Sequence, residues 1–301
     1  MNSTPLVSLV VVNYNFSAYV IQTLESVRQQ TYANTELVII DDLSTDNSPK
    51  LIRDWLATYD KPYKFVANEK NLGVCATVNK AFHLANGKYI SATAGDDLFQ
   101  PQKVETQVAM LESSGDEFCA VYSNAYLINE HNEQKDVLFI ERRKVKGYPS
   151  GYIYEDLLED NFIPAMSALL KKSCFLSVGD FDETLAYEDY DMWLRLAHKY
   201  KFLFSDYVSC TYRVKEKSLS TSITDWDLPN ASILAKHAPT HPLAMKKLKE
   251  LAFRAYTRDK TKVLETLSSK NINNKYVKRL LYLHRKKIPV SIGKHLLPKI
   301  G

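Results

Sequence analysis

Lys88-Tyr89-Ile90-Ser91-Ala92-Thr93-Ala94-Gly95-Asp96-Asp97 is a strand-like run that ends in two adjacent carboxylates. Neighbouring acids at the end of a buried strand repel each other, so a fold tolerates them best where a cation shares the site. The stretch therefore reads as an anchor for a metal-bound diphosphate. The plainer reading is an Asp-rich turn whose second acid caps a helix starting at about Pro101. The flanking sequence decides between the two.

Leu6 to Val12 is a largely β-branched run bounded by polar residues, the signature of a strand buried on both faces of a parallel sheet. After Asn13-Tyr14-Asn15, Ser17 is placed to cap a helix in which Val20, Ile21, Leu24 and Val27 recur at helical spacing to about Gln30. Glu36 to Ile40 is a second strand, closed by another acidic pair, Asp41-Asp42. Strand, helix and strand make a right-handed βαβ unit, and such sheets bind ligands at the carboxyl ends of their strands. Tyr14 and Asp42 thus share a rim. Lys64 to Ala67 repeats the pattern as a strand, followed by the loop Asn68 to Gly73 and a helix from about Val74 to Ala85 that stops at Asn86-Gly87. The next strand delivers Asp96-Asp97 to the same rim. No G-x-G-x-x-G follows the first strand, so a backbone phosphate cradle is absent and a bound diphosphate needs a metal to neutralise it.

With these residues the chain resembles family 2 glycosyltransferases, inverting enzymes of the GT-A fold that use nucleotide-diphosphate sugars. The resemblance runs from about Val7 to Ser220 and rests on Val11 to Asn15, Ser26 to Tyr32, Val38 to Asp46, Asn71-Leu72-Gly73 with Asn79, and Gly95-Asp96-Asp97 with Pro101. It implies an α/β fold, a Rossmann-like mixed sheet flanked by helices. Residues 1–222 form the GT-A domain, with 1–100 as the nucleotide-binding half and 101–222 as the acceptor and catalytic half; 223–301 form a helical basic extension. Tyr14 stacks on the base, Val12 and Gly73 belong to the nucleotide site, and Asp42 accepts from base or ribose. A carboxylate accepting the imide N–H of uracil favours a UDP-sugar. Asp96 touches the ribose, Asp97 ligates Mn²⁺ or Mg²⁺, and Asn79 is a further donor contact. Two departures stand out: Ala94 replaces an acid two residues before the pair, and Leu43 replaces a glycine, so the turn after Asp42 is expected to avoid positive φ.

Tyr187 to Ala197 starts a helix with Glu188, Asp189 and Asp191 in its first turn, favourable at the positive end of the dipole. It resembles the family's E-D-x-D-x-W-x-x-R segment, which makes Asp189 the catalytic base. Glu188 and Asp191 then orient Asp189 or bind acceptor hydroxyls, and Arg195 fixes the helix through an ion pair. Ser209 to Lys215 with Ser218 and Ser220 resemble the terminal Y-R-x-H-x-x-S-x-S segment, with Lys215 in place of its His. Arg213 and Lys215 are candidate phosphate contacts. The charged span Asp136 to Gly151 reads as a solvated loop or a flap over the acceptor, and it and Ile163 to Ser167 are expected to select the acceptor.

At 301 residues, 45% hydrophobic and 25% charged, the chain suits one large α/β domain with a modest appendage. The net charge of +4 is uneven, with sixteen Lys and Arg against three acids from His241 onward. The four cysteines have no ligand spacing and read as reduced, buried thiols. No signal peptide or membrane-length apolar run is evident, so a cytoplasmic location, peripheral on the inner face of the membrane, is expected. The basic tail suggests contact with an anionic membrane surface rather than nucleic acid, for which no recognition motif is present. The expected activity is metal-dependent, inverting transfer of one hexosyl or N-acetylhexosaminyl unit to a glycan or lipid-linked acceptor in surface polysaccharide biosynthesis. Single transfer is favoured because the Q-x-x-R-W of processive relatives is missing. The alternative is a non-catalytic sugar-nucleotide scaffold on the same fold.

Overall fold

The computed structural model describes residues 4–216, 223–270 and 272–298, which group into two compact units, Met1–Glu216 and Lys217–Gly301. Ser218 and Ser220 of the terminal motif lie outside the described residues. The first unit is built on a mixed sheet of β1 (Val7–Asn13), β2 (Thr35–Asp41), β3 (Tyr63–Ala67), β4 (Tyr89–Ala94), β5 (Leu98–Phe99), β6 (Phe118–Ile128), β7 (Leu169–Lys171) and β8 (Lys201–Arg213). The order is β3-β2-β1-β4-β7-β6-β8-β5. Strands β3, β2, β1 and β4 are parallel, and β7 then runs antiparallel to both β4 and β6. This is the expected GT-A arrangement.

The helices are α1 (Val20–Arg28), α2 (Ser48–Leu56), α3 (Val74–Leu84), α4 (Lys103–Glu112), α5 (Tyr154–Glu159), α6 (Lys172–Val178) and α7 (Asp189–Lys199). Leu24 and Val27 of α1, Ile52 and Trp55 of α2 and Val104 and Val108 of α4 pack with Leu9, Val11, Leu37 and Ile39 of the central strands. Each such buried aliphatic side chain contributes roughly 1.5–3 kcal/mol. A second cluster, Phe82 with Phe175 (4.9 Å) and Phe181 (5.4 Å), joins α3 to α6 and to the turn after it.

Three local expectations are corrected, and one helix is added. Helix α1 begins at Val20 because the Phe16 carbonyl accepts from Tyr19 and Val20 N–H, while the N–H of Ser17 donates to Asp46. Helix α2, with Pro49 in its first turn, carries a spacing of Leu51, Ile52, Trp55 and Leu56 that the sequence reading passed over. Leu43 sits at φ 63°. The Asp41 carboxylate binds Ser44 N–H (2.8 Å) and Oγ (2.7 Å), closing a turn too tight for an extended residue. The span 136–151 is more than a solvated loop: Ile140 is buried with its N–H on Asn124 (2.9 Å), and Tyr148 stacks on Phe204 at 4.4 Å.

The second unit is helical: α8 (Asp227–His237), α9 (Pro242–Thr257), α10 (Thr261–Ser269), α11 (Lys275–Arg285) and the short α12 (Val290–Gly293). Leu248, Leu251, Ala252 and Ala255 of α9 are buried, as their spacing predicts, with Leu264, Leu267 and Leu280. Asp227 binds Arg254 (2.6 Å) and Lys260 (2.6 Å), tying the start of α8 to the end of α9.

Candidate active site

The rim grows outward from β1. Asp42 follows β2, with its N–H on the Asn13 carbonyl (2.8 Å). Its buried carboxylate accepts from Asn68 Nδ2 (2.8 Å), Leu72 N–H (2.8 Å) and Gly73 N–H (2.9 Å). Asp42 thus suspends the loop that enters α3, and Gly73 stands at φ 81°, where most side chains are strained. A carboxylate has about four acceptor positions, so one direction is left for a ligand. Tyr14, 46% exposed, stands at the end of β1, and Val12 lies within that strand between Ile40 and Ala94.

The N–H of Gly95 donates to the Val12 carbonyl (2.9 Å), which seats the turn after β4 against β1. A Cβ on Gly95 would come within 2.5 Å of Asn13 Oδ1 and 3.1 Å of the Phe16 ring. Asp96 and Asp97 follow, both buried. Asp97 Oδ1 accepts from the N–H of Arg213 (2.8 Å), and Asp96 Oδ2 pairs with Lys215 Nζ at 2.5 Å. The Lys215 ammonium also lies 4.1 Å from the Phe16 ring centroid. Burial, then the charge of Asp96, holds the Asp97 carboxyl well above the usual range. Arg213, expected as a phosphate contact, is instead a buried brace. Its guanidinium donates to the Asp96 carbonyl (2.9 Å), Asn129 O (3.2 Å), Asn132 Oδ1 (2.8 Å) and Gln22 Oε1 (2.9 Å).

The third acidic group reaches this neighbourhood through α3. Asn79, expected to touch the donor, accepts from Phe181 N–H (2.8 Å) and donates to Phe181 O (2.9 Å), clamping the turn that leads to α7. One helical turn before Asn79, Cys75 donates to Leu185 O (3.5 Å), and its thiol is raised to about 12 by burial and then by the charges of Glu188, Asp182 and Asp189. The start of α3 therefore joins the Asp42 loop, through Gly73, to the turn that precedes the Glu188-Asp189 pair, through Cys75. Burial raises both carboxyls of that pair, Glu188 further through the charge of Asp189. Asn161 Nδ2 (3.2 Å) offsets part of the rise at Asp189, leaving it at about 6. Asp191 is buried and paired with Arg195 (2.8 Å). Arg195 also donates to the carbonyls of Val178 (2.7 Å), Gly179 (2.8 Å) and Asp180 (2.8 Å), fixing α7 as its expected ion pair implied.

Residues 8–175, more than half of the chain, match the family model described as glycosyl transferase family 2. The chain belongs to this family. An uncharacterized glycosyltransferase, MJ1057 of Methanocaldococcus jannaschii, is 30% identical over 71% of this chain and 72% of its own length. The UDP-Glc:alpha-D-GlcNAc-diphosphoundecaprenol beta-1,3-glucosyltransferase WfgD of Escherichia coli is 26% identical over 72% of this chain and 80% of its own. Among solved structures, S. aureus TarS 1-349 in complex with UDP-GlcNAc superposes with a TM-score of 0.64 at 14% identity, covering 93% of this chain and 92% of that one. The mannosyltransferase PcManGT of Pyrobaculum calidifontis, in complex with GDP-Man and Mn²⁺, gives 0.60 at 16% identity, covering 98% and 86%. At these identities the two structures establish the GT-A fold.

Family 2 glycosyltransferases of this fold imply a divalent cation, and the residues here fit one in part. Among the described residues no group of three or more His, Cys, Asp or Glu side chains is placed to hold a metal. Asp97 has one oxygen engaged by a backbone N–H and a carboxyl under strain from its neighbour, the state that a cation relieves. One protein carboxylate plus diphosphate oxygens is an ordinary Mg²⁺ ligand set. The site therefore suits an ion that arrives with the donor. Sequence reasoning missed Phe16, Gln22 and Asn161. Phe16, in the unusual Asn-Tyr-Asn-Phe turn, was visible as an aromatic near the rim; Gln22 and Asn161 carry no local signal.

Proposed function

We propose that this family 2 enzyme transfers a single hexosyl or N-acetylhexosaminyl unit from a UDP-sugar, with inversion, to a hydroxyl of a lipid-linked or growing surface glycan. The observation that carries the reading is the set of hydrogen bonds around α3: Gly73 at its start binds Asp42, while Cys75 and Asn79 within it bind Leu185 and Phe181 of the turn that leads to Glu188-Asp189.

Asp42 takes the uracil imide N–H at its remaining acceptor position, Tyr14 covers the base, and Asp96 meets the ribose. Asp97 would hold Mn²⁺ or Mg²⁺, which when bound offsets the charge that develops on the leaving diphosphate. Lys215 supplies a fixed positive charge beside it, at the position of the family's His. Asp189 removes the proton from the acceptor hydroxyl as it attacks C1 from the face opposite the diphosphate, and a single in-line displacement turns an α-linked donor into a β-glycoside. A base raised to about 6 is ionised at neutral pH and still basic enough for this task. WfgD is named for UDP-Glc and alpha-D-GlcNAc-diphosphoundecaprenol, and TarS is in complex with UDP-GlcNAc. The basic second unit adds a contact with the anionic face of a membrane.

A panel of nucleotide sugars, tested for thermal stabilisation with and without Mn²⁺ and then for product, examines this directly. Stabilisation by a UDP-sugar, stronger with Mn²⁺ and followed by glycoside formation, is expected. Binding without hydrolysis or transfer on any acceptor would favour a scaffold on the same fold.

A further inference from the structure

Helix α11 presents a basic outer face. Lys275, Lys278, Arg279, Tyr282, Arg285 and the adjoining Lys286 are all exposed, whereas Tyr276, Val277, Leu280, Leu281 and Leu283 are buried. At 100° per residue the six exposed positions fall within an arc of about 120°, with Tyr282 near its middle. Tyr282 is 58% exposed. The arc contains no acid. Among the described residues, none of its five cations enters an ion pair; Lys278 and Arg285 donate instead to the neutral Asn273 (3.0 Å) and Ser268 (2.5 Å). Elsewhere in the same unit the cations Arg254 and Lys260 are matched by Asp225 and Asp227.

We infer that this face docks on an anionic phospholipid surface. It gives a location to the membrane contact of the proposed function. Five unmatched cations on one arc complement a plane of negative headgroups, which a convex single-helix face meets along its whole length. An exposed tyrosine centred among them suits a boundary that is apolar on one side and wet on the other. In the segment that follows, Ile292 (56% exposed) and Leu296 (43%) stand out beside Lys294. A nucleic-acid phosphate chain would use the cations but not these aliphatic side chains. The neighbouring cleft of about 680 Å³ between Tyr256, Leu264, Leu281 and Val290 has a mixed lining, with Asp259 and Glu265 as well as Arg285 and Lys287.

The full chain is sedimented with vesicles of phosphatidylcholine alone or mixed with phosphatidylglycerol. Binding to the mixed vesicles only, weakening with salt, is expected. The triple change Lys278→Glu, Arg279→Glu, Lys286→Glu is expected to weaken it at least tenfold, and Tyr282→Ser by a smaller factor. An off-arc triple of equal charge, Arg258→Glu, Lys262→Glu, Lys270→Glu, is expected to retain binding within twofold. Equal loss in both triples, equal binding to neutral vesicles, no vesicle binding, or displacement from vesicles by duplex DNA at the same ionic strength overturns the inference. UDP-sugar stabilisation of the same variants reads the N-terminal unit separately, so failure of vesicle docking leaves the transferase reading intact.

Discussion

Asn161 donates to Asp189 Oδ1, and a bond to the charged form of an acid holds its pKa down. Removing that donor in Asn161→Ala lets burial raise Asp189 further. A base works deprotonated, so kcat should fall as the pH drops through about 6 in wild type, and this acid limb should move to higher pH in the variant. A pH profile that does not move would place Asn161 outside the catalytic chemistry. Leu43 tests the turn on the other side of the rim. At φ 63° and 44% exposed, it occupies left-handed backbone with little burial to compensate. Leu43→Gly should change unfolding free energy by less than about 1 kcal/mol, whereas the β-branched Leu43→Val should cost roughly 1–2 kcal/mol in chemical denaturation. Leucine has no preference for this conformation, which the Asp41–Ser44 hydrogen bonds impose; the glycine that Leu43 replaces is the one sign of it in the sequence.

At the scale of elements, the close seating of the β4 turn on β1 controls the acidic pair. Gly95→Ala forces a methyl group against Asn13 Oδ1 and Phe16, which should cost roughly 1–3 kcal/mol and lower UDP-sugar affinity, read by denaturation and by thermal stabilisation. Strands β1, β2 and β4 were legible because each is an apolar run that ends in a distinctive polar turn. Helix α2 was passed over because its N-terminal Asp-Asn-Ser-Pro reads first as loop. In a helix, positions four apart share a face, so the Asp191 carboxylate meets Arg195. Lys103, fully buried at the start of α4, was likewise invisible. Its ammonium donates to Gln107 Oε1 (2.8 Å) and Ser167 O (2.9 Å), and burial pushes its pKa down to about 7.

For the whole molecule, the sequence carried the fold class and the rim where a ligand binds, since both follow from the order of strands and the direction in which parallel strands point. It did not carry which polar residues face that rim and which brace it. Arg213 and Asn79 stand in family motifs yet spend their hydrogen bonds on protein partners, and that assignment depends on contacts between residues about a hundred positions apart. The account turns on Asp189 as the base across from the donor diphosphate. Turnover and UDP-sugar affinity of Asp189→Asn, measured side by side with wild type, test it most directly. The account predicts a fall in kcat of roughly 10²–10⁴-fold with donor affinity within about twofold of wild type. Undiminished turnover with intact donor binding would contradict it.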